Sequence, residues 1–223
     1  MPTQKQTPNT CAAVIAAAGS ASRMEGIDKI FHPLNGHPLI CRTMAAFDKL
    51  DFINNIILVA KETDFDKLSK LCEAVKKPVT IVAGGKTRAH SVLNGVYASK
   101  NSDFVAIHDG ARPFITEELV TNVFNAAVKY GAAVPCLPVF DTVKQIENDK
   151  IVKTLDRSQL FLAQTPQIFG IELIKNALEN AANAGLPITD DCAAVEALGV
   201  AVHMVLGDKG NIKITTKQDL RLS

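Results

Sequence analysis

The sequence predicts an α/β domain with a mainly parallel sheet and helices on both of its faces. Short apolar runs recur along the 223-residue chain, and segments with apolar residues at three- and four-residue spacing lie between them. Alternation of this kind is typical of parallel sheets. Hydrophobic residues make up 47% of the chain, which is enough for one sizeable core. We therefore expect a single domain over residues 11–223, preceded by a polar, flexible tail over residues 1–10.

Up to residue 139, the chain alternates predicted strands with predicted helices. The strands are expected at 12–17, 55–60, 78–83, 104–108 and 131–139. The helices are expected at 38–50, 63–75, 88–100 and 116–131. Because open α/β sheets bind ligands beyond the carboxyl ends of their strands, the polar residues that follow each strand are the candidates for a site.

Beyond residue 139 the pattern changes. Residues 140–157 alternate apolar and polar side chains around a turn-like "ENDK", which predicts a hairpin that protrudes from the sheet. Two helices, at 171–185 and 190–199, and a strand at 201–207 are expected to follow.

Charge and cysteine usage exclude several classes of protein. The formal net charge of +1 gives no general attraction to nucleic acid or to anionic lipid, and the chain has no run of 18 apolar residues that could span a membrane. The five cysteines lie far apart without a Cys-x-x-Cys pair, which favours reduced thiols in the cytoplasm. We expect no nucleic-acid or membrane partner.

The first strand runs into "AAAGSASRM", at residues 16–24. Small side chains would let a ligand approach the backbone, Gly19 permits a tight turn, and free backbone N–H groups could bind phosphate oxygens. Arg23 and Lys29 would add two cations, which suits a polyphosphate. The pattern matches neither a P-loop nor a dinucleotide-binding fingerprint, and an ordinary turn with an exposed Arg23 remains the alternative.

Two more loops follow predicted strands. In "HDGARPF", Asp109 suits a Mg²⁺ ion that bridges phosphates, although it could instead cap the turn and pair with Arg112. His108 is expected to be structural, since no second histidine stands at metal-ligand spacing. In "AGGKTRAHS", Gly84 and Gly85 permit close approach to a base or ribose, and a plain connecting loop is the alternative.

Four further polar stretches complete the set, at residues 141–144, 156–167, 188–191 and 210–216. In the third of them, Thr189 or Asp190 would cap a helix. Lys213, in the last, could be no more than an exposed strand residue. Together the polar loops indicate a phosphate-rich ligand.

As an ordered set over about 200 residues, "AAGSASRM", "GGKTRAHSVLNG", "HDGARPF", "DTVK", "DRSQLFLAQTPQ", "TDD" and "NIKITT" closely resemble the 2-C-methyl-D-erythritol 4-phosphate cytidylyltransferases. The resemblance implies a Rossmann-like nucleotidyltransferase domain. It also implies transfer of CMP from CTP to the alcohol phosphate, giving 4-diphosphocytidyl-2-C-methyl-D-erythritol and pyrophosphate in non-mevalonate isoprenoid biosynthesis.

The resemblance also implies roles for individual residues. The nucleotide-binding residues would be Ala16, Ala17, Ala18, Gly19, Gly84, Gly85, Arg88, Ser91, Asp109 and Gly110. The alcohol-phosphate site would comprise Asp109, Arg112, Thr142, Arg157, Thr165, Thr189 and Lys213. The catalytic residues would be Arg23, Lys29, Arg157 and Lys213. Asp109 would bind Mg²⁺, and the hairpin at 140–157 would reach into the neighbouring subunit of a homodimer.

Two alternatives remain from the sequence. A sister family uses ribitol 5-phosphate, but tends to carry a bulkier residue where this chain has Ala111. A regulatory protein that binds nucleotide without turnover is conceivable, because Ala21 replaces a usual glycine and "DKIF" around Lys29 lacks a usual proline and glutamine. The charged residues of the motifs are nevertheless retained.

Overall fold

The structure, a computed structural model, describes residues 9–19, 29–216 and 218–222. The strands are β1 (Cys11–Ala16), β2 (Pro33–Leu34), β3 (His37–Pro38), β4 (Ile53–Ala60), β5 (Val79–Ala83), β6 (Phe104–Asp109), β7 (Ala132–Pro138), β8 (Lys144–Glu147), β9 (Lys150–Thr154), β10 (Phe161–Ala163), β11 (Gln167–Gly170) and β12 (His203–Leu206). The α-helices are α1 (Leu39–Asp48), α2 (Phe65–Cys72), α3 (Arg88–Ala98), α4 (Glu117–Tyr130), α5 (Ile171–Asn183) and α6 (Asp191–Ala197). Short 3-10 helices include Lys29–Phe31 and Arg157–Gln159.

Eight strands form the main sheet, in the order β10-β7-β11-β6-β1-β4-β5, with β12 also paired to β7. The segment β6-β1-β4-β5 is parallel, and β12 runs parallel to β7. The predicted α/β fold with a mainly parallel sheet is confirmed. Strand β11, which begins at the end of the polar stretch of residues 156–167, was not predicted and lies antiparallel between β6 and β7. Its four residues are too few for a recognisable strand pattern.

Helices cover both faces of the sheet, and β1 lies between the two layers. Cys11, Ala13 and Ile15 pack in the core formed with α1, α2 and α4, whereas Ala12 and Val14 pack in the core formed with α3, α5 and α6. Because successive side chains of a strand point to opposite faces, a strand covered on both sides has a continuous apolar sequence. This burial explains why "CAAVIA" contains no polar residue.

The predicted hairpin is present as β8 and β9, a two-stranded sheet separate from the main one. Every residue of both strands is exposed. The connecting Asn148 and Asp149 have φ angles of 49° and 62°, the left-handed pair that a tight hairpin turn requires. The hairpin therefore protrudes from the domain.

The N-terminal boundary of the core differs slightly from the expectation. Thr10, assigned from the sequence to a flexible tail, donates its backbone N–H and its hydroxyl to Oδ2 of Asp103, at 2.8 Å and 3.0 Å. Residues 1–8 of that tail lie outside the described residues. None of the helices in the described ranges is long and apolar enough to cross a membrane.

Candidate active site

A cavity of about 500 Å³ lies at the carboxyl ends of β1, β5 and β6. This is the edge at which open α/β sheets bind ligands. Its wall contains Ala16, Ala17, Ala18, Gly19, Lys29, Ile30, Gly85, Lys86, Thr87, Arg88, Ser91, Asp109, Ala111 and Lys213. Three of the polar loops predicted from the sequence thus meet at one place, together with Lys213 from the last of the polar stretches.

The loop after β1 is shaped by close contact with the loop after β5. The backbone N–H of Ala17 donates to the carbonyl of Val59 at 2.7 Å, so the chain continues beside β4. A Cβ atom on Gly84 would lie 2.5 Å from Cβ of Ala18. Gly84 therefore allows the two loops to lie in close contact but does not line the cavity, whereas Gly85 does.

The first turn of α3 forms a second wall of the cavity. Thr87 caps the helix by accepting a hydrogen bond from the backbone N–H of His90, at 3.2 Å. The Ser91 hydroxyl donates to the Thr87 carbonyl at 2.8 Å and accepts from the backbone N–H of Gly85 at 2.9 Å. Ser91 thereby fixes the glycine loop against the positive end of a helix, which favours a bound anion.

Asp109, at the end of β6, is the centre of the charged groups. Its Oδ2 lies 2.8 Å from Nζ of Lys213 and 3.5 Å from Nε of Arg112, and its Oδ1 lies 3.9 Å from Nη2 of Arg88. Burial alone would raise the pKa of Asp109, but Lys213, and then Arg88 and Arg112, hold that pKa at about 2. Asp109 is therefore ionised at neutral pH.

Lys213 reaches Asp109 because its segment is bonded to two buried loops. The backbone N–H of Ile214 donates to the Ala111 carbonyl at 2.8 Å, and the buried Asn211 side chain donates to the Thr165 carbonyl at 2.8 Å. Arg112 donates to the Asn211 carbonyl at 2.7 Å. Lys213 lies outside the strands of the described chain, so it is not the exposed strand residue that the sequence left possible.

His108 is linked to the backbone of Asp109 through the hydroxyl of Thr165. Its Nε2 lies 3.1 Å from the Arg112 carbonyl, which can only accept, so Nε2 carries the proton. Its Nδ1 then accepts from the Thr165 hydroxyl, and that oxygen accepts from the backbone N–H of Asp109, each at 3.1 Å. Burial lowers the pKa of His108 to about 4, which keeps the ring neutral. The prediction of a structural histidine is confirmed.

The start of α6 holds Arg88 through contacts that the sequence did not predict. Arg88 donates from Nη1 and Nη2 to the two carboxylate oxygens of Asp191, at 2.8 Å and 2.7 Å. Gln167 accepts from the backbone N–H groups of Asp191 and Cys192, both at 3.0 Å. The cap of α6 is Asp190, not Thr189. The "TDD" sequence was the available signal, but it does not reveal which arginine the second aspartate meets.

The comparisons with known proteins agree with this arrangement. A family model described as 2-C-methyl-D-erythritol 4-phosphate cytidylyltransferase (IspD) matches residues 11–223. The chain belongs to this family. The predicted enzyme class, a cytidylyltransferase among the nucleotidyltransferases, is confirmed.

The relatives cover nearly the whole chain. The 2-C-methyl-D-erythritol 4-phosphate cytidylyltransferase of Geobacillus thermodenitrificans is 43% identical, with 93% of this chain and 92% of that protein covered. The enzyme of that name from Halalkalibacterium halodurans is 40% identical, over 93% and 92% of the two chains. Among solved structures, the 4-diphosphocytidyl-2C-methyl-D-erythritol synthase of Anaerococcus prevotii matches with a TM-score of 0.86 at 32% identity, over 96% of each chain. The Thermus thermophilus cytidylyltransferase matches with a TM-score of 0.78 at 33% identity, over 96% of each chain.

Several residues with a role implied by the family lie away from the cavity wall. Gly110 lies behind it, with its backbone N–H bonded to the Ala16 carbonyl at 3.0 Å. Arg112 and Thr165 lie beneath Asp109, in the networks described above. Thr142, Arg157 and Thr189 are exposed. Arg23 lies outside the described residues. Contact of these residues with a ligand stays a prediction.

Arg157 is placed at the base of the hairpin. Its guanidinium donates to the carbonyl of Phe140. Thr142 lies in the segment that connects β7 to β8, whereas Arg157 follows β9. Both residues therefore lie on the protruding hairpin arm, and neither lines the cavity of its own chain.

Proposed function

We propose that the protein transfers the CMP moiety of CTP to 2-C-methyl-D-erythritol 4-phosphate, with release of pyrophosphate. The observation that carries the proposal is the meeting of Asp109, Lys213 and Arg88 with the alanine and glycine backbone after β1 in one cavity. Family membership supplies the identity of the two substrates.

The nucleotide would lie along the loop of residues 16–19. Side chains there are no larger than a methyl group, so phosphate oxygens can approach the backbone N–H groups of Ala18 and Gly19, which follow the residues bonded within the sheet edge. Lys29 and Lys213 line the same cavity and would neutralise the phosphates. Gly85 and Ser91, which line the same cavity, would bind the base and ribose. We propose the same phosphate role for Arg23.

The residues fit a divalent cation carried by the nucleotide, which we propose to be Mg²⁺. Within the described residues, no group of three or more His, Cys, Asp or Glu side chains could hold a metal by itself. Mg²⁺ commonly takes one or two carboxylates and completes its shell with water and phosphate oxygens. Asp109 is ionised, and its Oδ1 accepts no hydrogen bond from any described residue. When bound, the cation would neutralise phosphate charge and orient the leaving group.

Catalysis would rest on alignment and charge, since the attacking group is the phosphate of the alcohol substrate and is already ionised near neutral pH. No general base is needed. The neutral His108 is used in hydrogen bonds within the fold. Lys29 would stabilise charge that develops at the α-phosphate. Lys213 would position the attacking phosphate, and Arg112, Thr165 and Thr189 would complete the alcohol-phosphate site.

We further propose a homodimer formed through the hairpin arm of residues 140–157. Large apolar side chains are exposed on this arm and on neighbouring β10, at Phe140, Ile146, Ile151, Val152, Phe161 and Leu162. Large apolar side chains that are exposed together on neighbouring elements commonly mark a protein interface. The dimer would bring Thr142 and Arg157 to the cavity of the second subunit. All five cysteines are free, which supports a cytoplasmic location.

The proposal is tested by pyrophosphate release from CTP and Mg²⁺ with methylerythritol phosphate, and separately with ribitol 5-phosphate. UTP and ATP serve as nucleotide controls. Release with CTP and methylerythritol phosphate alone supports the proposal. Preference for ribitol 5-phosphate would contradict the substrate assignment despite the small Ala111 in the cavity wall. Binding of CTP without release would indicate the regulatory alternative.

A further inference from the structure

Arg88 lies between two carboxylates, and its bonds to them differ. Both carboxylate oxygens of Asp191 accept from it, at 2.8 Å and 2.7 Å, in the parallel two-bond geometry that suits a guanidinium. The same Nη2 atom lies 3.9 Å from Oδ1 of Asp109, which is too long for a hydrogen bond. A shift of roughly 1 Å would close that gap.

Asp191 is held in a fixed position, whereas the Arg88 side chain that binds it is partly exposed. Its side chain is 0% exposed, whereas that of Arg88 is 34% exposed and lines the cavity. The backbone N–H of Asp191 donates to Gln167, which itself donates to Oδ2 of Asp190, at 2.8 Å. The carboxylate therefore cannot follow Arg88 into the cavity, and Arg88 is held on the wall.

The two carboxylate oxygens of Asp109 differ in their partners. Oδ2 is bonded to Lys213 at 2.8 Å. Oδ1 faces Arg88 at a distance and, in the described chain, accepts no hydrogen bond. If Arg88 moved onto Oδ1, both oxygens of Asp109 would be paired with cationic side chains, and a metal ion would have to displace one of them.

We propose that Asp191 is a positioning residue that holds Arg88 away from Asp109 and so keeps Oδ1 of Asp109 available to the divalent cation of the bound nucleotide. The inference rests on the proposed function, because it requires a nucleotide–metal complex at Asp109. Asp191 does not line the cavity, so it would touch neither the nucleotide nor the metal.

The test compares wild type with Asp191→Asn, Arg88→Gln and the double variant Asp191→Asn/Arg88→Gln. Mn²⁺ binding is measured by electron paramagnetic resonance, in the presence of saturating α,β-methylene-CTP, which cannot be cleaved. Asp191→Asn should weaken Mn²⁺ binding about tenfold or more, the size of one lost charge contact. The double variant should recover to within about threefold of wild type, because the competing guanidinium is gone.

Recovery of Mn²⁺ binding in the double variant would show that Asp191 acts by positioning Arg88 and not by stabilising the fold. The double variant contains two neutral amides in place of the ion pair, so it leaves no buried charge unpaired and guards against misfolding of the single variants. Circular dichroism checks the fold of each variant. Glu179→Gln removes an exposed carboxylate that accepts from Tyr97, and serves as the matched control with unchanged Mn²⁺ binding.

Two results would overturn the inference while the proposed function stands. In the first, Asp191→Asn binds Mn²⁺ as tightly as wild type does. In the second, the double variant is as weak as the single one, which would mean that the loss of Asp191 acts through the structure alone. A wild-type protein that binds no Mn²⁺ with the analogue would instead overturn the metal role of Asp109, and this inference with it.

Discussion

Nζ of Lys213 lies 2.8 Å from Oδ2 of Asp109, although the two residues come from opposite halves of the chain. The contact joins the end of the central strand β6 to a segment that follows the edge strand β12. It fixes the lysine at the cavity and lowers the pKa of the carboxyl group, which Arg88 and Arg112 lower further against the effect of burial.

Replacement of Lys213 by Ala should reduce kcat/KM for the alcohol phosphate by roughly 100-fold, because a cation that contacts phosphate in the transition state is lost. Steady-state pyrophosphate release measures the effect. Lys100→Ala, at an exposed position, is the control and should retain wild-type kinetics. Activity of Lys213→Ala within about threefold of wild type would remove Lys213 from the mechanism.

Lys29 lines the same cavity from the first loop. We expect Lys29→Ala to lower kcat by roughly 100-fold while the fold is retained, by analogy with the loss of a donor that stabilises developing charge. The kcat is measured at saturating CTP and alcohol phosphate, and circular dichroism reports the fold. The exposed Lys61→Ala is the control. An unchanged kcat would show that Lys29 does not act on the α-phosphate.

Gly84→Ala should raise the KM for CTP, since the new methyl group would meet Cβ of Ala18 at 2.5 Å and displace the loop after β1. Overpacking of this kind costs about 1–3 kcal/mol. The paired change Gly84→Ala/Ala18→Gly moves the methyl group from one side of the contact to the other and should restore most of the affinity. If the double variant shows the same KM as Gly84→Ala, the contact with Ala18 is not the cause.

Stability should fall as the pH drops from about 6.5 towards 4, because of His108. Its pKa is lowered from 6.5 to about 4 by burial, so the unfolded chain binds the proton first and is favoured as the pH falls through this window. The full contribution is roughly 3 kcal/mol. Urea unfolding at several pH values measures it.

The variant His108→Gln tests the origin of that pH dependence. It should flatten the change in the free energy of unfolding between pH 6.5 and 4, although its stability at neutral pH will be lower. The exposed His37→Gln provides the control, with a pH dependence like that of wild type. An equal slope in His108→Gln would mean that other groups cause the effect.

Subunit mixing tests whether Arg157 acts across a dimer interface. Arg157→Ala and Lys213→Ala proteins are each expected to be nearly inactive. In a mixed dimer, one cavity would combine an intact Lys213 with an intact Arg157 from the second subunit. Random exchange gives half mixed dimers with one such cavity each, so activity should recover to roughly a quarter of wild type. No recovery after verified exchange would place Arg157 in the cavity of its own chain.

The sequence predicted the parallel part of the sheet well, because β1 is a continuous apolar run and β4 is one from Ile56 to Ala60. It did not predict β11, whose four residues follow a polar stretch and whose neighbours, β6 and β7, are distant in the sequence. Pairing of this kind depends on the tertiary fold and leaves no local pattern.

The same limit applies to the site. Asp109 and the loop of residues 16–19 follow strands, so their place at the cavity could be predicted. The partner of Arg88 could not, because Asp191 is brought to it through α5, against which both α3 and α6 pack. Helix capping also left two choices, and the structure assigns it to Asp190.

Strand β7 pairs with β10, β11 and β12, all of which come later in the chain. During synthesis on a ribosome, β7 therefore emerges before any of its neighbours, and the edge of β6 stays open until Gln167–Gly170 has been made. Assembly cannot simply follow the order of translation in this half of the sheet. A nascent chain that has completed β6 already carries Asp109 but lacks both the strand that closes the sheet and the lysine that neutralises the carboxylate, so the charged cluster stays incomplete until Lys213 has been added.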